Sequence, residues 1–266
     1  MKIAILGSNG FIGSNISIYL RQYHNVVDIN RDTLNLLNFS DVRSFLQNHK
    51  FDVIINAAAI MTHPELLWDT RNNLTIFMNF FNNSTLFGKF INLGSGAEYD
   101  RSLDISSIKE FEVFNRFPVD SYGYGQNIKS RLCYEKDNFY GLKIFNCFGL
   151  GEPSTRIFNL LLNDQKLEIF NDRYFDYFYI KDLFSVIDYC IYNVVREKDI
   201  NCVYPKKYKI SEVAMEFSVI NNLNCDISIV SVSDNNYTGN SDNIASIGLD
   251  FLGLHFGLKD YKIGNI

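Results

Sequence analysis

The chain has 266 residues, 47% of them hydrophobic, and a formal net charge of −5 with acidic and basic side chains interspersed. That apolar fraction supports a packed core and excludes a disordered chain, while the lack of a basic stripe excludes nucleic acid as a partner. The N-terminal apolar run is too short for a signal peptide and nothing approaches the roughly 20 apolar residues of a membrane helix, so a soluble, cytoplasmic protein with no membrane partner is expected.

In chain order, residues 2–6, 26–29, 52–56, 89–93 and 142–147 read as short strands buried on both faces. Residues 12–23, 40–49, 71–86 and 125–138 between them have helical length and amphipathic spacing. Regular β-α-β alternation predicts an α/β fold with a Rossmann-like, doubly wound parallel sheet and right-handed crossovers. Beyond Gly149 the pattern loosens into a turn at 151–154, a short helix at 157–162 and a strongly amphipathic helix at 182–193. From Cys202 onward, short strands, a helix near 210–221 and polar turns predict a small α+β C-terminal lobe. The expected division is 1–149, with 179–201 returning to it, against a lobe of 150–178 and 202–266.

The cysteines (133, 147, 190, 202 and 225) are odd in number and widely spaced, as buried free thiols are, and the histidines (24, 49, 63 and 255) are equally dispersed. Neither pattern matches a metal site, and no metal is expected.

The first strand runs directly into Gly7-Ser8-Asn9-Gly10-Phe11-Ile12-Gly13, a glycine loop opening a helix. Such a loop permits a tight turn, a close approach of backbone to pyrophosphate and close helix–strand packing, with the positive helix end holding the anion. The position after the second strand selects the cofactor: an acid accepts from a ribose 2′-hydroxyl, whereas a cation accommodates a 2′-phosphate. Asn30 holds the usual acidic position and Arg31 follows it, which favours NADP(H); a solvated surface charge is the other reading of Arg31. Asp28 alternates onto the same side as Asn30 and keeps NAD(H) open.

The sequence resembles the extended short-chain dehydrogenase/reductase (NAD-dependent epimerase/dehydratase) family over nearly its whole length. Besides the glycine loop, the resemblance is carried by Asn56-Ala57-Ala58-Ala59, Asn73-Leu74, Leu93-Gly94-Ser95-Gly96-Ala97-Glu98-Tyr99, Tyr122-Gly123-Tyr124-Gly125-Gln126, Phe145-Asn146-Cys147-Phe148-Gly149 and Tyr177-Phe178-Tyr179-Ile180-Lys181-Asp182-Leu183. Residues 30–37 look most like the sugar-nucleotide ketoreductases, including the GDP-fucose synthase group. The resemblance implies a cofactor site built from Gly7 to Gly13, Asn30, Arg31, Asn35, Leu36, Ala57, Ala58, Ala59, Asn73, Gln126 and Phe145. It further implies Tyr122 as the acid/base and Ser95 as the hydroxyl orienting the substrate, a nucleotide-diphosphate sugar. Gly96, Ala97, Asn146, Arg156 and Arg173 complete the implied substrate side, the arginines as partners for phosphate. A homodimer through residues 71–86 and 125–138 is also implied, with Phe77, Phe80, Phe81 and Leu132 as apolar contacts.

One departure matters. The family places a lysine four residues after the tyrosine, where it contacts the nicotinamide ribose and lowers the tyrosine pKa. Gln126 stands there instead, able to hydrogen-bond but uncharged. Lys129 lies on roughly the same helical face, about 10 Å from Tyr122 along the axis. Three readings stay open: another charge serves Tyr122; the alignment is displaced onto Tyr124, which has Ile128 four residues on; or the protein binds without turnover. Gly96-Ala97 replaces the Asp-Glu pair of the 4,6-dehydratases, and Ala97 and Arg156 replace the cysteine and histidine of the C3/C5 epimerising reductases. Hydride chemistry at one carbon remains: NADP(H)-dependent reduction of a 4-keto sugar nucleotide, with an NAD-dependent C4 epimerase as the alternative.

Overall fold

The computed structural model describes residues 1–60 and 67–263, so His63 lies outside the described residues. The first half runs β1 (Lys2–Leu6), α1 (Phe11–Leu20), β2 (Asn25–Ile29), α2 (Phe39–His49), β3 (Val53–Asn56), α3 (Leu67–Phe81), β4 (Lys89–Ser95), β5 (Ile105–Ile108), α4 (Ser121–Cys133) and β6 (Phe139–Ile144). The second half runs β7 (Cys147–Phe148), α5 (Ile157–Asn163), β8 (Lys166–Ile169), β9 (Phe178–Tyr179), α6 (Ile180–Tyr192), β10 (Asp199–Cys202), α7 (Ile210–Ile220), β11 (Asp226–Ile229), β12 (Tyr237–Gly239), α8 (Asp242–Ser246) and α9 (Gly253–Ile263).

Six parallel strands form the main sheet in the order β10-β6-β4-β3-β1-β2. Its central strands alternate between two cores, which is why their sequences read as continuous apolar runs. Ile3, Ile5 and Ile55 face α1 and α6 through Ile16, Leu20, Val186 and Ile187, and that core continues into α5, α7 and α9 of the C-terminal lobe. Ala4, Leu6, Ile54 and Phe90 face α2, α3 and α4 through Val42, Leu46, Phe77, Phe80 and Cys133. The doubly wound Rossmann-like sheet expected from the alternation is therefore present. The strand order reverses between β1 and β3, so the loops leaving those two strands open a crevice at the sheet's carboxyl edge. Among the described residues no helix is long and apolar enough to cross a membrane.

Three local expectations are corrected. Strand β6 ends at Ile144 rather than Cys147, because the chain leaves the sheet at Phe145 and Cys147–Phe148 pairs with β9 instead. Helix α4 begins at Ser121, four residues before the expected start, because the Asp120 side chain caps it by accepting from Gly123 N at 2.7 Å. Gly123 suggests a loop in sequence, yet a Cβ there would lie 2.4 Å from the Ala97 carbonyl oxygen, so its smallness serves packing. Third, Phe77 and Phe80 are wholly buried beneath the sheet, stacking around Phe90 and Phe139, and Phe81 and Leu132 pack on the same core. The apolar residues expected at a dimer interface thus cover the sheet, because a helix has one apolar stripe and the sheet takes it.

A buried ion network ties these layers together. The fully buried Lys143 Nζ on β6 meets Glu98 after β4, Asp199 on β10 at 2.9 Å and Ser130 on α4, while Ser130 donates to Asp199 at 2.8 Å. Burial opposes the lysine's charge, but the two carboxylates outweigh it and hold its pKa well above the usual value. Removing one member strands the others as unpaired buried charges. The Lys143→Met variant should lose about 3–5 kcal/mol of stability, measured as the shift in the urea unfolding midpoint at constant slope.

Candidate active site

The crevice at the strand reversal is a cavity of about 820 Å³ lined by Gly7, Asn9, Gly10, Asn30, Arg31, Asn35, Leu36 and Ala57 to Ala59, together with Ile29, Asp32, Leu34, Leu37, Ile60 and Ile76. Gly7 has φ +76°, and a Cβ there would sit 2.7 Å from the Ala58 Cα, so the two loops can meet only at a glycine. A Cβ on Gly13 would lie 2.3 Å from the Gly7 carbonyl oxygen, which fixes how closely α1 packs on the loop. Gly10 has only one neighbour within reach, the Gly7 oxygen at 3.4 Å, and it caps α1 without any side-chain hydrogen bond. The first N–H groups of α1 therefore receive no side-chain cap. The buried Ser8 hydroxyl also has no partner among the described residues.

Phe11 and Ile12 pack their side chains on the core, so that only their backbone is available to the loop's opening. Asn73 acts at one remove: its amide brackets Ile60, accepting from the N–H and donating to the carbonyl at 2.8 Å each, and so shapes the wall after β3. At the far end the Asn30 side chain accepts from Asp32 N at 2.9 Å and holds the turn that presents Arg31, which is exposed. Asp28 does not share this site. It is turned to α1, bonded to Ser17 and paired with Arg21 at 2.5 Å, because β2 alternates and residue 28 falls on the α1 face.

Ser95, Tyr122 and Gln126 are brought together by the end of β4 and the first turns of α4. Ser95 opens a short 3₁₀ turn as half of a capping box: its side chain accepts from Ala97 N at 3.1 Å, and Glu98 accepts from Ser95 N at 2.9 Å. Glu98 is the same carboxylate that Lys143 holds, so the catalytic-type serine is anchored to the ion network. Tyr122 is half-buried, and its hydroxyl is within hydrogen-bonding reach of Ser95 and Gln126. Burial pushes the phenol above its usual pKa and Glu98 adds to the rise, while Ser95, Gln126 and Arg101 oppose it. Gln126 is buried, and its Oε1 has no partner among the described residues.

A positive charge beside Tyr122 comes from Arg101, which sequence reasoning missed. Its guanidinium lies 5.9 Å from the Tyr122 ring centroid and pairs with Asp120, the α4 cap, at 2.7 Å. Lys129 is instead buried beside Glu98 and Cys133, with burial lowering its pKa to about 8. Tyr124 is exposed, against Phe117 rather than Ser95.

On the lobe side, Arg156 donates to the Asn146 side chain. Arg173 donates to the Asn235 carbonyl at 3.1 Å, lies 6.0 Å from the Tyr237 ring centroid and keeps a buried Nε that has no partner among the described residues. The Phe145 ring fills space above Gly96, where a Cβ would be 2.5 Å from it, and packs against Tyr99 and Tyr237. Its side chain therefore belongs to the wall under Ser95 and Gly96 rather than to the glycine-loop cavity. Glu98 had a readable signal, the Ser-x-x-Glu capping box at 95–98. Arg101 and Tyr237 had none, because only folding sets them beside Tyr122 and Ser95.

A strand-reversal crevice with a glycine loop, and a serine–tyrosine pair on the same carboxyl edge of the sheet, defines a Rossmann-like α/β protein. The profile of the NAD dependent epimerase/dehydratase family matches residues 3–203, and the chain belongs to that family. Over 233 residues it is 23% identical to the GDP-6-deoxy-D-talose 4-dehydrogenase of Aggregatibacter actinomycetemcomitans, covering 80% of this chain and 78% of that one. The fold matches a GDP-mannoheptose C4 reductase from Campylobacter jejuni with NADP bound, at TM-score 0.83 and 21% identity over 99% of this chain and 98% of that one. It also matches a UDP-glucose 4-epimerase from Thermotoga maritima, at TM-score 0.81 and 16% identity over 100% and 98% of the chains.

The two inner glycines of the loop should separate. Gly13→Ala forces a clash with backbone and is expected to cost more than about 2 kcal/mol, whereas Gly10→Ala should cost no more than about 1 kcal/mol; thermal unfolding of both variants makes the comparison.

Proposed function

We propose that the protein reduces a 4-keto nucleotide-diphosphate sugar to the 4-hydroxy sugar nucleotide, using a nicotinamide dinucleotide with NADP(H) favoured. The observation that carries the reading is a Tyr122 phenol within hydrogen-bonding reach of Ser95 and Gln126, on the same carboxyl edge of the sheet as the glycine-loop cavity, where burial raises its pKa. The residues present suit the cofactor. Gly7 to Gly13 and the open end of α1 would take the pyrophosphate, Ala57 to Ala59 the adjoining wall, and the orphan Gln126 Oε1 would accept from a ribose hydroxyl. Arg31 lines the cavity and has no ion pair among the described residues, so it could pair with a 2′-phosphate, and Asp28 is engaged elsewhere, which supports NADP(H) over NAD(H).

The dinucleotide, when bound, supplies the hydride for the carbonyl carbon. Tyr122 then donates its phenolic proton to the oxygen as negative charge develops there, and Ser95 steadies that oxygen by hydrogen bonding. Reduction needs a protonated phenol, whereas oxidation, with which a C4 epimerase must begin, needs a phenolate. A lysine at position 126 would favour the phenolate; Gln126 does not, so the exchange biases the site toward reduction. Arg101 tempers the bias without reversing it. The C4 chemistry named for the two GDP-sugar relatives supports the same reading.

The test is turnover of 4-keto GDP-, CDP-, UDP- and dTDP-sugars with NADPH, followed as loss of cofactor absorbance. Stoichiometric NADPH consumption is expected; product without net consumption would point to epimerisation, and binding without product would discard the enzyme reading. Tyr122→Phe should lower kcat by about 10²–10⁴-fold with NADPH affinity retained. Because the phenol's pKa is raised, the rate should stay level through neutral pH and fall only above about pH 10. Arg31→Ala should weaken NADPH binding by about tenfold or more and leave NADH affinity within about twofold, read by fluorescence titration.

A further inference from the structure

Ser95 has a second phenol at its hydroxyl. Strand β12 pairs in parallel with β5 through Tyr237 and Ile105, and Tyr237 also bridges Phe175. The Tyr237 ring is sealed between Phe145 and Phe175, with centroid separations of 5.0 and 5.1 Å, and the residue is 5% exposed. Its hydroxyl points at the Ser95–Gly96 peptide: a Cβ on Gly96 would be 2.7 Å from it, and Ser95 Oγ is within hydrogen-bonding reach. Gly96 is therefore required for this phenol to arrive.

We propose that Tyr237, delivered by the C-terminal lobe, is a positioning residue that sets the direction of the hydrogen-bond chain running through Ser95 to Tyr122 and the reacting oxygen. The assignment rests on the reductase reading above. A serine hydroxyl has one proton and two acceptor sites. One acceptor site is taken by Ala97 N–H at 3.1 Å. Tyr237 fills the other: Arg101 beside it offers donors and no acceptor, Glu98 already receives Ser95 N and Lys143, and the Tyr122 oxygen already faces Ser95 and Gln126. With both acceptor sites filled, Ser95 has only its proton left to offer. It donates to the Tyr122 oxygen or to the substrate oxygen, and the Tyr122 proton is left for the substrate instead of being spent on Ser95. Burial raises the Tyr237 pKa, against the opposing pull of Ser95 and Arg101.

Tyr237→Phe deletes the hydroxyl and keeps the ring packing. Expected is a fall in kcat of about tenfold, with KM and NADPH affinity within about twofold; the unchanged NADPH affinity also reports that the variant folds. In a Ser95→Ala background the same substitution should have no further effect on kcat, since Tyr237 acts through Ser95. Multiplicative losses in the double variant would overturn the proposal, as would an unchanged kcat in the single one. A readout that needs no substrate separates this from the reductase reading: with isotopically labelled tyrosine, the Tyr122 ring-carbon resonance beside the hydroxyl, assigned by its loss in Tyr122→Phe, should move at neutral pH in Tyr237→Phe as Tyr122 turns to donate to Ser95. An unmoved resonance refutes the relay, whereas absent turnover in the wild type with a moved resonance refutes only the reaction.

Discussion

The buried lysine at position 143 is the constraint on which the reactive end of the molecule depends. A charge in the core must be matched, and Lys143 is matched from two carboxylates on different elements, Glu98 after β4 and Asp199 on β10, with Ser130 of α4 completing the contact. Glu98 spends its other oxygen on the Ser95 backbone, so the position of Ser95 follows from electrostatic necessity in the core. The network thus joins the stability of the sheet to the geometry of the site. It also sets the electrostatics above it, since the Glu98 charge helps to hold the Tyr122 phenol protonated.

Around that anchor the site is assembled from three directions. The strand reversal supplies a cavity between the loops after β1 and β3, and the glycines let those loops meet. Helix α4, capped by Asp120, carries Tyr122 and Gln126 on its first turns and borrows Arg101 through the same aspartate. The C-terminal lobe closes the third side with Tyr237 and Arg173. That lobe is held to the sheet by a continuous core and by Asp182 on α6, which accepts from Leu252 N and Gly253 N at 2.8 and 2.9 Å at the start of α9. In a site so divided, the positive charge near Tyr122 comes from Arg101 on another loop and not from position 126.

Period and punctuation in the chain were enough for the sheet, its parallel sense, the glycine loop and the approximate places of most helices. Those features are local: burial on both faces writes continuous apolar runs, and a turn that approaches a neighbouring backbone demands glycine. The Ser95–Tyr122 pair was legible only through motif resemblance, and its supporting carboxylate was present in a capping-box spacing. Helix α4 was misplaced by four residues because Gly123 reads as a loop, when its missing side chain admits the Ala97 carbonyl.

What the sequence determined by itself is the scaffold and the chemical types at its openings: a phenol, a serine, an uncharged amide in a lysine's place and an arginine after β2. What only the tertiary structure decided is which distant groups complete them. Arg101 beside Tyr122, Tyr237 at Ser95 and Asp28 turned away to Arg21 are contacts across strands and lobes. No local period encodes such meetings, because they depend on how layers pack and on which buried charges and hydrogen-bonding groups must find partners once water is excluded.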